Sequence, residues 1–160
     1  MDRPAKKVSD SKVEWTRCVQ SMDCNARGTL FGGQLLKWLD EVAGVTAMRH
    51  CGHEVTTAAV DNLQFKRPVP MGQLCILTGR VTYVGNTSME VRTDVYLEDL
   101  DTGMRYPVNR AYFTEVAVDD HSQPTRIPYS LQPETPGEYA EMEGAKQRIA
   151  LRKQRRKDGF

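Results

Sequence analysis

The sequence predicts a two-layer α+β domain, one long helix packed against one antiparallel sheet. Two patterns carry that reading. One strong helical periodicity runs from about Phe31 to His50, and four long strand-like segments joined by short turns follow it. Size agrees: 160 residues, 39% hydrophobic and 27% charged, provide one core of ordinary globular composition.

Val13, Trp15 and Val19 alternate with polar residues, which predicts a first strand over about residues 12–20. Ser21 to Leu30 is a loop by composition. In the long helix, Leu35, Leu36, Trp38, Leu39, Val42, Ala43, Val45 and Thr46 share one broad face, with Lys37, Glu41 and Met48 opposite. Gly52 suits the residue after the helix, and Arg49 and His50 suit the negative end of its dipole. The segment from Glu54 to Arg67 is β-rich but changes phase. Thr56, Ala58 and Val60 fall on one face, Leu63 and Phe65 on the other, which places a bulge near Asp61-Asn62.

After a turn at Pro68 to Gly72, residues 73–84 are apolar on both faces, as in a central strand. Gly85-Asn86 turns the chain again. Met89, Val91, Thr93, Val95 and Leu97 alternate with Glu90, Arg92, Asp94 and Glu98, predicting a strand with one wet face. Asp101 to Gly103 leads into a last strand over about residues 105–118. Prolines at 124, 128, 133 and 136 mark an extended tail over the domain. Glu138 to Lys157 reads as a second helix, acidic at its start and basic at its end. The expected organisation is a flexible N-terminus (1–11), one domain (12–120), and a Pro-rich tail with a charged helix (121–160).

The net charge of +1 gives no reason to expect nucleic acid or a membrane surface as partner. No apolar run approaches a bilayer span, and the polar start of the chain lacks the apolar core of a secretory signal. Cys18, Cys24, Cys51 and Cys75 have no CxxC spacing, so free thiols in a reducing cytoplasm are expected.

Two features of the long helix carry chemistry. Asp40 flanks the apolar face with no Lys or Arg partner on its own helix, since Lys37 points away. Two readings stand: a residue at the solvent boundary or paired to another strand, and a general base or nucleophile in a cleft. Gly32-Gly33 opens the helix, where free amides can polarise a carbonyl oxygen and glycine admits a ligand to the backbone. Tight helix packing would also use a glycine there. Gly32 and Asp40 are eight residues apart, roughly 12 Å along the axis. If both act on one substrate, the Gly-Gly end of one protomer faces Asp40 of another.

The stretch from Asn25 through Gly28 to Phe31-Gly32-Gly33, followed by Leu39-Asp40 and Gly44, resembles the hotdog-fold acyl-CoA thioesterases. It is most similar to the YciA-type and brain-type cytosolic acyl-CoA hydrolases. Phe65 to Val69 with Gly72, and Gly85 to Ser88, resemble the same family, over about residues 13–119 in all. The resemblance implies a central helix wrapped by an antiparallel sheet, and an enzyme that splits acyl-CoA into fatty acid and coenzyme A. It implies dimers that share active sites, assembled as a trimer of dimers, and no cofactor beyond the coenzyme A of the substrate. The family's catalytic Asn and Asp fall on Asn25 and Asp40, from different protomers. Asp40 would activate water or attack the thioester, with Asn25 and the amides at Gly32 and Gly33 on the carbonyl. Arg67, Gly85, Asn86, Thr87 and Ser88 match positions near coenzyme A, although an ordinary hairpin explains the last four as well.

Other constellations point elsewhere and weigh less. His50-Cys51 with His53 lacks a fourth metal ligand, so no metal site is expected. Cys24 has no neighbouring histidine to activate it. The basic end of the last helix reads as a solvated helix end, with contact to coenzyme A phosphates or RNA as the other readings. A non-catalytic acyl-CoA sensor on the same fold is the alternative function, and a greasy-cleft carboxylate argues against it. A hotdog dehydratase would need a catalytic histidine, and His50 and His53 lie at the wrong end of the helix.

Overall fold

The structure is a computed structural model describing residues 3–160. In chain order its elements are β1 (Ala5–Lys7), α1 (Val8–Ser11), β2 (Val13–Cys18), α2 (Gly32–Cys51), β3 (Glu54–Asp61), β4 (Leu74–Val84), β5 (Ser88–Glu98), β6 (Arg105–Val118), β7 (Ser130–Gln132) and α3 (Pro136–Asp158). Five strands form an antiparallel sheet in the order β2-β4-β5-β6-β3, which leaves β3 with a free edge. The sheet wraps α2, the hotdog arrangement that the resemblance implies.

The helical stripe read from the sequence is the buried face of α2, from Leu35 to Thr46, and it continues through Ala47, His50 and Cys51. Each fully buried Leu or Val contributes roughly 1.5–3 kcal/mol of transfer free energy, so this stripe anchors the core. Where α2 crosses β4, a Cβ on Gly79 would overlap Thr46 and Val42, so only glycine lets helix and strand approach this closely. Gly52 ends α2 at φ 72°, donating its amide to the Met48 carbonyl at 2.8 Å.

Four expectations need correction. First, β3 stops at Asp61, and the register shift lies between Thr57 and Ala59 rather than at Asp61-Asn62. The inner face therefore carries Val55, Thr57 and Val60, opposite Ala117, Glu115 and Phe113. Asn62, at φ 60°, turns the chain out of the sheet. Second, the polar face of β5 is not wet. Glu90, Arg92 and Asp94 are buried, the first two paired with Arg148 and Glu141 of α3.

Third, the basic end of α3 is not simply solvated. Arg148 stacks on Tyr112 at 3.7 Å and pairs with Glu90 at 2.8 Å, while Arg152 and Arg155 both reach Asp61. α3 itself starts earlier than expected, at Pro136, with Thr135 and Glu138 forming a reciprocal cap. Fourth, His50 does not complement the helix dipole as a cation. It is fully buried, and burial pushes it down to about 4. Lys6 takes that role, its Nζ donating to the carbonyls of Arg49 and His50.

The segment expected as a flexible N-terminus carries β1 and α1, with β1 in parallel register on β7. The residues between β6 and α3 contribute Ile127 to the core.

Candidate active site

The loop before α2 is a tight turn. Gly28, at φ 74°, donates its amide to the Asn25 carbonyl at 3.0 Å, and Asn25 donates its own to Thr29 at 2.8 Å. The Asn25 side chain folds back over this turn. Its Oδ1 accepts from the amides of Arg27 at 2.9 Å and Thr29 at 3.3 Å, and its Nδ2 donates to Thr29 Oγ1 at 3.0 Å. Two backbone donors on Oδ1 fix which end is the amide nitrogen. One N–H of that nitrogen is left for a ligand.

Asp23 organises the same loop, accepting from the Gln20 amide and from Gln34 Nε2, each at 2.9 Å. The cap position of α2 is Phe31, which makes no side-chain hydrogen bond to the helix. The first amides of α2 thus open at Gly32-Gly33 with no internal acceptor, the arrangement that stabilises a developing oxyanion. Gly33 has a packing reason as well, because a Cβ there would collide with the Phe31 ring.

Asn25, Gly32, Phe65 and Arg67 line one cleft of about 310 Å³, closed below by Leu30, Leu35 and Val69. Asp40 does not line it. Its carboxylate lies exposed, two turns further along α2, and accepts from Thr57 Oγ1 on β3 at 2.6 Å. The structure therefore brings Asn25, Gly32 and Arg67 together and leaves Asp40 apart. Gly85 and Asn86 line a different, open cleft with Arg3 and Arg126, and Arg3 binds the Gly85 carbonyl and Asn86 Oδ1. Thr87 and Ser88 accept backbone hydrogen bonds through their carbonyls, from Ala117 and Gly85. His50 is buried and His53 exposed, and among the described residues no three potential ligands converge on a metal position.

Two groups beside Asp40 escaped the sequence reading. Thr57 was missed because the expected phase of β3 continued past the true bulge. Glu115 was missed because it lies between Phe113 and Ala117 on a face otherwise apolar. Its carboxyl is 0% exposed, lies 3.1 and 3.3 Å from Thr57 Oγ1, and meets no cation among the described residues. Burial pushes it up to about 7, with the Thr57 hydrogen bond opposing and the Asp40 charge adding to the rise.

Residues 27–104 match the Thioesterase superfamily. The chain is 38% identical over 148 residues to the uncharacterized acyl-CoA thioester hydrolase YkhA of Bacillus subtilis, covering 92% of this chain and 86% of that protein. It superposes with a TM-score of 0.91 and 35% identity on the acyl-CoA hydrolase of Staphylococcus aureus in complex with butyryl coenzyme A, over 98% of this chain and 94% of that one. An apo-hexameric acyl-CoA thioesterase gives a TM-score of 0.90 at 38% identity, over 95% and 97%. The fold and the open helix end are those of a hotdog thioesterase. The chain belongs to the acyl-CoA thioester hydrolase family.

Proposed function

We propose that this enzyme hydrolyses acyl-CoA to a free acid and coenzyme A in sites built between two protomers. One observation carries the shared site: Asn25 and the open amides of α2 line one cleft, while Asp40 and Thr57 lie outside it, next to the free edge of β3. A partner docked at that edge brings its Asn25 end toward this chain's Asp40. Asn25 and the Gly32 and Gly33 amides then hold the thioester carbonyl, and Asp40 acts on water or on the carbonyl carbon. Arg67, in the same cleft as Asn25, suits a coenzyme A phosphate. Gly85 to Ser88, with Arg3 and Arg126 nearby, offer a second polar contact. No cofactor is required beyond the coenzyme A of the substrate.

Structures of the Staphylococcus aureus hydrolase include variants in which an Asn, an Asp and a Thr are each changed to Ala. Those three positions are separated by 15 and 17 residues, the spacings of Asn25, Asp40 and Thr57 here. That correspondence supports assigning Thr57 to the site. Hexameric relatives support a trimer of dimers. A cytosolic relative in rat supports a cytoplasmic location, although the chain spans 39% of that protein. No helix among the described residues is long and apolar enough to cross a membrane.

Complementation tests the shared site. Asp40→Asn lowers kcat by at least about a hundredfold while the fold is kept. Inactive Asn25→Ala and Asp40→Asn chains, unfolded together and refolded in equal amounts, regain about a quarter of wild-type activity, because half the dimers are mixed and each has one intact site. Folded, assembled mixtures with no activity would place both residues in one protomer's site. An Asp40→Asn enzyme with more than half the wild-type rate would remove Asp40 from the chemistry.

A further inference from the structure

A buried carboxyl group without a cation is costly to ionise. Glu115 sits on the core face of β6, directly across the β3–β6 ladder from Thr57. The charged and polar groups around it are few. From α2 it faces Asp40, and from β3 it faces Thr57. Its neighbour on β5 is Met89, while Glu90 and Arg92 lie on the opposite face of the sheet, held by Arg148, Asp94 and Glu141.

Thr57 has one hydroxyl hydrogen and two carboxyl neighbours. The 2.6 Å contact gives that hydrogen to Asp40, so the contact with Glu115 needs a hydrogen from Glu115 itself. With one proton on Glu115 the chain is complete: Glu115 donates to Thr57, and Thr57 donates to Asp40. Without it, two anions compete for one hydroxyl, and the buried one has no other donor.

We propose that Glu115 is a positioning residue for thioester cleavage, its carboxyl proton fixing the direction of the Thr57 hydroxyl and so the orientation of the Asp40 carboxylate. This rests on Asp40 being the reacting carboxylate. Glu115 touches no substrate and acts only through Thr57. Its ionisation, pushed up to about 7, makes the relay sensitive to pH where ordinary glutamates are not. As pH rises, Thr57 is drawn to the buried anion, and Asp40 loses the bond that aims it.

The test is the pH dependence of kcat and KM for acyl-CoA hydrolysis by the assembled enzyme, in wild type, Glu115→Gln and Glu115→Leu. Wild-type kcat is expected to fall as pH rises through about 7. Glu115→Gln should abolish that alkaline fall, because its amide N–H donates to Thr57 at every pH. Glu115→Leu should lower kcat about tenfold below pH 7 with KM within about twofold, the effect of losing one oriented hydrogen bond, and should show no alkaline fall. A wild type without the alkaline fall, or a Glu115→Gln enzyme that retains it, overturns the proposal. So does a folded Glu115→Leu enzyme with full kcat, and if that variant does not fold, the Gln profile decides alone. Asp40→Asn separates the two levels. If it stays active, the reading of Asp40 fails; if it is dead while Glu115→Gln keeps the wild-type profile, only the role of Glu115 fails.

Discussion

The two faces of one sheet treat buried carboxylates in opposite ways. On the outer face, Glu90 is 1% exposed and Asp94 is 3% exposed, yet each has a guanidinium: Arg148 at 2.8 Å for Glu90, Arg92 and Arg110 at 2.8 Å for Asp94. On the inner face, Glu115 is as deeply buried and has only a hydroxyl. The Glu90–Arg148 pair fastens α3 to the sheet, and the Asp94–Arg110 pair ties β5 to β6. A lone carboxyl pushed toward neutrality beside a second, exposed carboxylate marks a place where chemistry outweighs stability. Deep burial is common to the two faces; the missing cation sets Glu115 apart.

The largest effect that would break this contrast is on the outer face. Arg148→Ala leaves Glu90 buried without its guanidinium and should cost about 3–5 kcal/mol, read as a lowered denaturation midpoint. Activity per folded molecule should be unchanged. A loss of kcat without loss of stability would mean that α3 belongs to the active site rather than to the scaffold.

On the inner face, stability should depend on pH through Glu115. Its folded value is raised, so the stability it contributes is present below the ordinary carboxylate range and lost as pH rises to about 7. A rise of this size corresponds to about 3 kcal/mol at most. Glu115→Gln should remove this contribution, so that the variant gains stability relative to wild type as pH rises to about 7. His50 works in the opposite sense: its folded value is lowered to about 4, so its contribution is present above its ordinary value of 6.5 and lost as pH falls toward 4. The two windows overlap and oppose each other, so urea melts of wild type and Glu115→Gln are compared across this range. A stability difference between wild type and Glu115→Gln that stays constant from pH 4.5 to 7 contradicts the assignment to Glu115.

Thr57→Val should lower kcat about tenfold, the equivalent of one hydrogen bond to a charged acceptor, and Thr57→Ser should restore most of it. An unchanged rate for Thr57→Val detaches the threonine from Asp40. The smallest effect belongs to the rim. Arg105 bridges Glu14 and Glu98 at the solvent-exposed rim, and Arg105→Ala should leave the melting temperature unchanged within error. A clear drop would show that exposed pairs here matter as much as buried ones.

The family resemblance pointed to Asn25; the residues by themselves determined the long helix, the strands, the Gly-Gly opening, and Asp40 as a residue to test. Those follow from local signals: a 3.6-residue stripe, period-two alternation, turn residues, and a carboxylate with no partner on its own helix. The separation of Asp40 from the Gly-Gly end was also legible, because helix rise per residue is fixed. The partners that strands from distant parts of the chain bring together were decided only by the tertiary structure. Thr57 reaches Asp40 and Glu115 because a bulge shifts the phase of β3 by one residue, and a one-residue slip reverses which side chains face the core. The polar face of β5 lies dry because α3 brings Arg148, 58 residues after Glu90 in the chain, to neutralise it. Alternation shows that a strand has two faces; what covers each face is settled by packing.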